Sequence, residues 1–131
     1  YKRYDCKAGK TPPPGFLPCE EKADAVTGHW PGWVPVQPND KWLLEALKNS
    51  PDVTDGTYEA VGPKINSNHD RVEGHYLRKH GGQVLEAPRT FNDLKAYLEA
   101  HIYEGIVFHH PDGRMVKIRR DDYGLDWPIK T

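Results

Sequence analysis

Glu104 and Lys117 belong to one short segment, residues 104–120, and both side chains could bind a nucleotide. A lysine ammonium can neutralise a polyphosphate, while a carboxylate can bind a sugar hydroxyl or a divalent metal ion. If both residues lie on one face of a sheet, about four residues apart, roughly 13 Å separates them along the strand direction. That distance fits a nucleotide with its phosphates at the lysine and its sugar or metal ion at the carboxylate.

A predicted β-hairpin positions the two residues. Two alternating apolar runs, residues 104–109 and 115–120, flank Asp112-Gly113, and Asp-Gly between such runs is a strong signal for a two-residue hairpin turn. A turn of this kind places Phe108 opposite Lys117. Because side chains alternate between the two faces of a sheet, this register also predicts which residues are buried.

The alternation divides the hairpin into a core face and a nucleotide face. The predicted core face carries Val107, Val116 and Ile118. The predicted nucleotide face carries Glu104, Ile106, Phe108, Lys117 and Arg119.

Residues 104–113 (EGIVFHHPDG) followed by residues 115–120 (MVKIRR) resemble motifs IV and V of the covalent nucleotidyltransferases. This superfamily contains the ATP-dependent RNA and DNA ligases and the mRNA capping enzymes. The closer resemblance is to the small RNA ligases that join a 5′-phosphate to a 3′-hydroxyl RNA end, because four further segments match them in order. Those segments are PGWVPV at 31–36, G-x-x-I-N-x-N at 62–68, H-x-L-x-x-H-G at 75–81 and Y-G-L-x-W-P at 123–128.

The resemblance implies one α+β domain over residues 1–131, with mostly antiparallel sheet and a few helices, as the C-terminal part of a nucleotidyltransferase (ligase adenylation) core. It also implies a mechanism with ATP and Mg²⁺ or Mn²⁺. A lysine attacks the α-phosphorus of ATP, the adenylyl group passes to an RNA 5′-phosphate, and the RNA 3′-hydroxyl then displaces AMP. The negative charge that collects on phosphate oxygens requires fixed cations around them.

Five residues acquire roles from the resemblance. Lys117, aligned with the motif V lysine, is expected to contact the α-phosphate. Glu104 is expected to hold a metal ion or the attacking lysine, and Glu59 matches the motif III carboxylate that contacts the ribose or the metal ion. Arg3 lies where an arginine of the family often contacts the phosphate of ATP or RNA, and Arg119 shares the predicted nucleotide face with Lys117.

The family's nucleophilic motif, K-x-D-G, is missing from this sequence, since residues 2–5 (KRYD) have the wrong spacing and no following glycine. The sequence also starts at Tyr1 inside an apparent strand. We therefore expect a fragment whose nucleophile lies upstream and which does not adenylylate itself. Two alternatives stay open: a non-catalytic nucleotide- or nucleic-acid-binding module, and a capping-type guanylyltransferase that uses GTP.

Composition excludes several other classes of site and protein. The formal charge of −1 gives no general attraction to nucleic acid, so phosphate affinity must come from a local patch such as Lys117, Arg119 and Arg120. The histidines match no zinc signature, and two cysteines without a leader sequence are expected to be free thiols. No apolar run approaches the length of about 18 residues that a membrane span needs, so we expect a soluble, cytoplasmic protein.

The remaining elements follow from periodicity, turn residues and capping residues. The tryptophans at 30 and 33 are expected to pack under a long loop, with base stacking as the alternative. Asn39 or Asp40 is expected to cap the first helix, and a capping box at residues 90–93 is expected to start the second. The predicted strands are 1–5, 57–62 and 75–80, and the predicted helices are 41–48 and 91–101.

Overall fold

Seven strands, two α-helices and two short 3₁₀ helices (Asn66–Asn68 and Arg120–Tyr123) make up the computed structural model, which describes residues 1–130. Every predicted element is present, and the structure adds two strands that were not predicted, one of two residues in the loop that precedes the tryptophans and one that contains both tryptophans. In chain order the elements are β1 (Lys2–Cys6), β2 (Leu17–Pro18), β3 (Trp30–Val34), α1 (Lys41–Lys48), β4 (Tyr58–Val61), β5 (Tyr76–Lys79), α2 (Phe91–Ala100), β6 (Gly105–His109) and β7 (Met115–Arg119).

The strands pair antiparallel in three separate sheets, in the orders β1-β3-β2, β4-β5 and β6-β7. The predicted α+β class with mostly antiparallel sheet is therefore confirmed. Cys6 is buried, Cys19 is exposed, and both are free thiols as predicted. Neither helix in residues 1–130 has the length and apolar character needed to cross a membrane.

The first helix is anchored to β1 through Asp40. This residue occupies the predicted N-cap position, but its carboxylate makes no capping hydrogen bond to the first turn. It accepts hydrogen bonds from the Lys2 ammonium at 2.5 Å and from the Gln37 N–H at 2.7 Å. Trp30 packs under the preceding loop as predicted, since its ring meets Phe16 edge to face at 5.4 Å.

The second helix supplies the core under the central hairpin. Thr90 accepts a hydrogen bond from the Asp93 N–H at 3.4 Å, as the capping box predicts. Leu94 and Leu98, four residues apart on one face of α2, pack against Ile106 of β6. This helix therefore fixes which face of the hairpin is buried.

The turn of the central hairpin differs from the prediction. The His110 N–H donates to the Arg114 carbonyl at 2.8 Å and the Gly113 N–H donates to the His110 carbonyl at 2.9 Å, which closes a loop of three residues. Gly113 has φ +94°, as the last residue of such a loop requires. Proline lacks an N–H and its fixed φ suits the second position of a turn, so Pro111 joins the turn instead of the strand.

The longer turn moves the strand register by one residue, so Lys117 pairs with Val107 and the predicted pairing with Phe108 is wrong. The face assignment changes with it. Ile106, only 6% exposed, and Phe108 pack against α2 and do not lie on a nucleotide face. Val107 and Val116, which we expected in the core, are exposed, whereas Ile118 packs against the core as predicted.

Candidate functional site

Glu104 and Lys117 are in contact, with Lys117 Nζ 3.5 Å from Glu104 Oε1. Glu104 precedes the partner of Lys117 by three positions, which corresponds to roughly 10 Å along the strand, and the two long side chains close this distance. The predicted open span of about 13 Å between the two groups is therefore wrong. The side chains are 38% and 44% exposed, so the pair is accessible to a ligand from solvent.

Three basic residues near the end of β7 have different environments. Lys117 and Arg119 lie two positions apart, so they share one face of the strand, and both are exposed. Arg120 is 6% exposed, and its guanidinium donates to the carbonyls of Leu98 and Asp126. Arg120 therefore holds the end of α2 and the C-terminal tail and cannot contribute to a phosphate patch, whereas Lys117 and Arg119 can.

Glu59 is held by an arginine on the neighbouring strand. Arg78 lies opposite Glu59 in the β4-β5 register and donates one hydrogen bond to it at 3.0 Å and another to Asp70 at 2.7 Å. Burial alone would lower the pKa of Arg78, but the hydrogen bonds to Asp70 and Glu59 outweigh it and raise the pKa. The motif III candidate thus carries a fixed positive partner.

The residues proposed as metal ligands do not form a metal site by themselves. In residues 1–130, no three His, Cys, Asp or Glu side chains are grouped as a metal-binding cluster. Glu59 and Glu104 lie at different two-stranded sheets and contact different cations. Because Mg²⁺ commonly binds through one or two carboxylates together with substrate phosphates, an ion at either residue would need a nucleotide to complete its ligands.

Arg3 is separated from this group by the fold. It lies on β1 in the three-stranded sheet, where its guanidinium stacks over the Trp33 ring at 5.9 Å from the centroid. The structure thus brings Glu104 and Lys117 into contact and puts Arg119 on the same face as Lys117. It places Glu59 and Arg3 in the other two sheets.

Two depressions on the described surface lie away from the hairpin. One shallow depression lies between the end of α1 and the β4-β5 sheet, and a second lies in the loop before β3. Neither is lined by Glu104 or Lys117. A nucleotide on the exposed face of the hairpin would therefore need further enclosure to be shielded from water.

His75 is a site that our interpretation of the sequence missed. The side chain is 5% exposed and its ring stacks on Trp42 at 4.7 Å. Its Nδ1 contacts the Glu45 carboxylate, and its Nε2 accepts a hydrogen bond from the Lys64 N–H at 3.1 Å. The sequence marks this residue only through the H-x-L-x-x-H-G segment, whose resemblance to the RNA ligases gives it no role.

Gly62 explains part of this arrangement. A β-carbon at this position would overlap the His75 ring, so glycine lets the end of β4 pass directly against the histidine. The G-x-x-I-N-x-N and H-x-L-x-x-H-G segments are consequently packed together. These two of the segments that resemble the RNA ligases thus form one local structure.

Comparison with known proteins adds an independent result. A family model described as RNA ligase 1 matches residues 44–131. Proteins named RNA ligase 1 from Pongo abelii and Rattus norvegicus are 33% and 32% identical to this chain over alignments 139 positions long, gaps included, and one from Danio rerio is 26% identical over 140 positions. The matched residues include Glu59, Glu104 and Lys117 but not Arg3.

The matches cover the two proteins unequally. Each covers 78% of this chain and 43% of the relative. The chain therefore spans less than half the length of the curated relatives it matches.

Proposed function

The chain belongs to the RNA ligase 1 family, and we propose that it supplies the phosphate-contacting part of an ATP-dependent RNA ligase. Such an enzyme joins 5′-phosphate and 3′-hydroxyl RNA ends through lysyl-adenylate and RNA-adenylate intermediates. The observation that carries the proposal is the exposed Lys117–Glu104 pair, which lies within the residues that match the family. Family membership supports the reaction class, and the pair supports the position of the nucleotide.

Lys117 is suited to receive a phosphate group. Its ammonium lies 3.5 Å from the Glu104 carboxylate, and both groups are partly in water. Exposed ion pairs contribute only about 0–1 kcal/mol, so a triphosphate with several negative charges can replace the carboxylate at little cost. We propose that Lys117 then contacts the α-phosphate, with Arg119 beside it.

Release of Lys117 leaves the Glu104 carboxylate available. In the proposed site this carboxylate orients the attacking lysine or offers oxygen ligands to a divalent ion, and Glu59 offers a second carboxylate after exchange with Arg78. A Mg²⁺ or Mn²⁺ ion bound with ATP would supply positive charge to the phosphate oxygens. Both carboxylates are about half exposed, so exchange of their cation partners requires no unfolding.

The nucleophile is proposed to lie on a longer chain. No K-x-D-G occurs in these 131 residues, and the relatives are more than twice as long as the part they share with this chain. We therefore propose that a segment with this motif precedes Tyr1 and completes the site.

Incubation with radiolabelled ATP and Mn²⁺ tests the proposal directly. The 131-residue chain should acquire no covalent label, while a chain extended upstream to include K-x-D-G should become labelled. Covalent labelling of the short chain on one of its own lysines would contradict the missing nucleophile.

Two further outcomes distinguish the alternatives. A longer chain that binds ATP or RNA without becoming labelled would be a non-catalytic binding module. Preferential labelling by GTP would indicate a capping-type guanylyltransferase.

A further inference from the structure

The segment between β4 and β5 has an unusual backbone. Three successive residues adopt positive φ, Asn66 at 47°, Ser67 at 54° and Asn68 at 54°, and Arg71 follows at 53°. They are the four non-glycine residues with positive φ among residues 1–130. Left-handed non-glycine residues normally occur singly, so Asn66–Asn68, which we call the left-handed turn, is held against its intrinsic preference.

Two sets of hydrogen bonds hold the left-handed turn in place. The Asn68 side chain donates to the Val72 carbonyl and accepts from the Val72 N–H, both at 3.1 Å. On the other side, the Lys64 N–H donates to Nε2 of the buried His75. The turn is therefore tied to the Val72 backbone on one side and to the buried His75 ring on the other.

The C-terminal tail adds a third support. Arg71 donates to the Ile129 carbonyl at 2.7 Å, and the His69 ring meets Trp127 edge to face at 6.3 Å. Three of the segments that resemble the RNA ligases, residues 62–68, 75–81 and 123–128, thus support one strained turn.

The polar side chains at the exposed tip of the turn are free to bind a ligand. Asn66 and Ser67 are exposed, and their side chains make no hydrogen bond within residues 1–130. Lys64, two positions earlier, is also exposed and forms no ion pair in the described part of the chain. The backbone of the turn makes internal hydrogen bonds, such as the one from the His69 N–H to the Asn66 carbonyl at 3.3 Å, but the side chains at its tip make none among the described residues. Backbone strain that presents such free polar side chains is characteristic of preorganised binding elements.

We propose that the left-handed turn, together with Lys64, binds the sugar–phosphate backbone of RNA. The Asn66 amide, the Ser67 hydroxyl and the Lys64 ammonium are among the kinds of side-chain donor that contact phosphate oxygens and ribose hydroxyls. The nearest following carboxylate, Asp70, is neutralised by Arg78 and does not oppose this binding. The choice of RNA as the ligand rests on the proposed function, whereas the binding role of the turn rests on its geometry.

Glycine substitutions separate binding from folding at this turn. Ser67→Gly and Asn66→Gly remove the side chain and permit positive φ at no steric cost, so the thermal midpoint should stay equal or rise. Affinity for a short fluorescein-labelled, 5′-phosphorylated single-stranded RNA, measured by fluorescence anisotropy on the 131-residue chain, should fall roughly three- to tenfold. Lys64→Ala should weaken binding and lower the slope of log affinity against log salt by about 0.7.

Asn39→Gly is the matched control, because Asn39 is an exposed loop asparagine without positive φ. It should leave RNA affinity unchanged. Wild-type RNA affinity in the Ser67→Gly and Asn66→Gly variants would overturn the inference, as would an absence of RNA binding by the unmodified chain. A fall in both stability and affinity would assign the turn a purely structural role and overturn it too.

The result is separable from the test of the proposed function. Covalent labelling of the longer chain by ATP, with RNA affinity unaffected by the turn variants, would refute only the role of the turn. RNA affinity that depends on the turn, in a longer chain that takes no label, would refute only the ligase reaction.

Discussion

Lys117 Nζ lies 3.5 Å from Glu104 Oε1 although the two residues are not cross-strand neighbours. In the register that the Pro111 turn sets, Val107 lies opposite Lys117, three positions after Glu104. The proposed nucleotide site is built on this ion pair. Substitutions in this pair can separate an effect on the free energy of unfolding from an effect on the adenylylation rate.

Glu104→Gln should change the free energy of unfolding by less than about 1 kcal/mol, because the ion pair is half exposed. In the longer chain the same substitution should lower the rate of adenylylation, because it removes the carboxylate that we propose orients the attacking lysine or binds the metal ion. Glu99→Gln is the control, since Glu99 forms a similarly exposed pair with Lys95 at 3.1 Å. Equal adenylylation rates in the two variants would show that Glu104 is only a surface residue.

Gly113→Val should destabilise the hairpin by about 1–2 kcal/mol, because valine resists the φ of +94° that ends the three-residue turn. The measurement is the thermal midpoint of unfolding. Met115→Val places the same side chain at an exposed strand position nearby and should have little effect. An unchanged midpoint for Gly113→Val would mean that the turn adopts another conformation in solution.

Asp40 makes the junction of β1 and α1 sensitive to pH. The hydrogen bond from Lys2, and then the Gln37 N–H, hold the pKa of this carboxyl below its usual range. A lowered folded pKa stabilises the protein above the unfolded pKa of about 3.9, and this contribution is lost as the pH falls through the folded pKa. Wild-type protein should therefore exceed Asp40→Asn in thermal midpoint at pH 7, and the difference should shrink below about pH 4.

The control for this pH effect is Asp52→Asn. Asp52 is exposed, and its side chain makes no hydrogen bond or ion pair within residues 1–130. The difference between wild type and Asp52→Asn should stay small at every pH. A difference for Asp40→Asn that persists unchanged at pH 3 would exclude titration of this carboxyl as its cause.

Local signals in the sequence were sufficient to predict both α-helices and five of the seven strands, but not β2 and β3. The capping box before Phe91 and the apolar spacing of Leu94 and Leu98 are local properties, and α2 forms where they indicate. The predicted register of the hairpin was wrong by one residue, because Asp-Gly suggests a two-residue turn, whereas Pro111 joins the turn and lengthens it to three residues. Since a one-residue slip exchanges the faces, this small error moved Ile106 and Phe108 from the predicted site into the core.

The site was harder to predict because its contacts are distant in sequence. The bond between the Lys64 N–H and His75 and the bridge from Arg78 to Glu59 depend on how β4 pairs with β5. The left-handed turn carries no glycine at its tip, so residue type alone does not reveal the positive φ of Ser67. Family resemblance identified these segments, but only the packing shows which residues are in contact.

Lys117→Ala tests the whole assignment of the nucleotide site. If this ammonium opposes the negative charge that develops on the α-phosphate, its loss should cost about 3 kcal/mol of transition-state stabilisation, or about a hundredfold in adenylylation rate of the longer chain. The fold should persist, because Lys117 is exposed and its one ion pair lies at the surface. Lys130→Ala is the control, since Lys130 forms an exposed pair with Asp126 away from the hairpin. If both variants lower the rate equally little, Lys117 is a solvated strand lysine and the nucleotide must bind elsewhere.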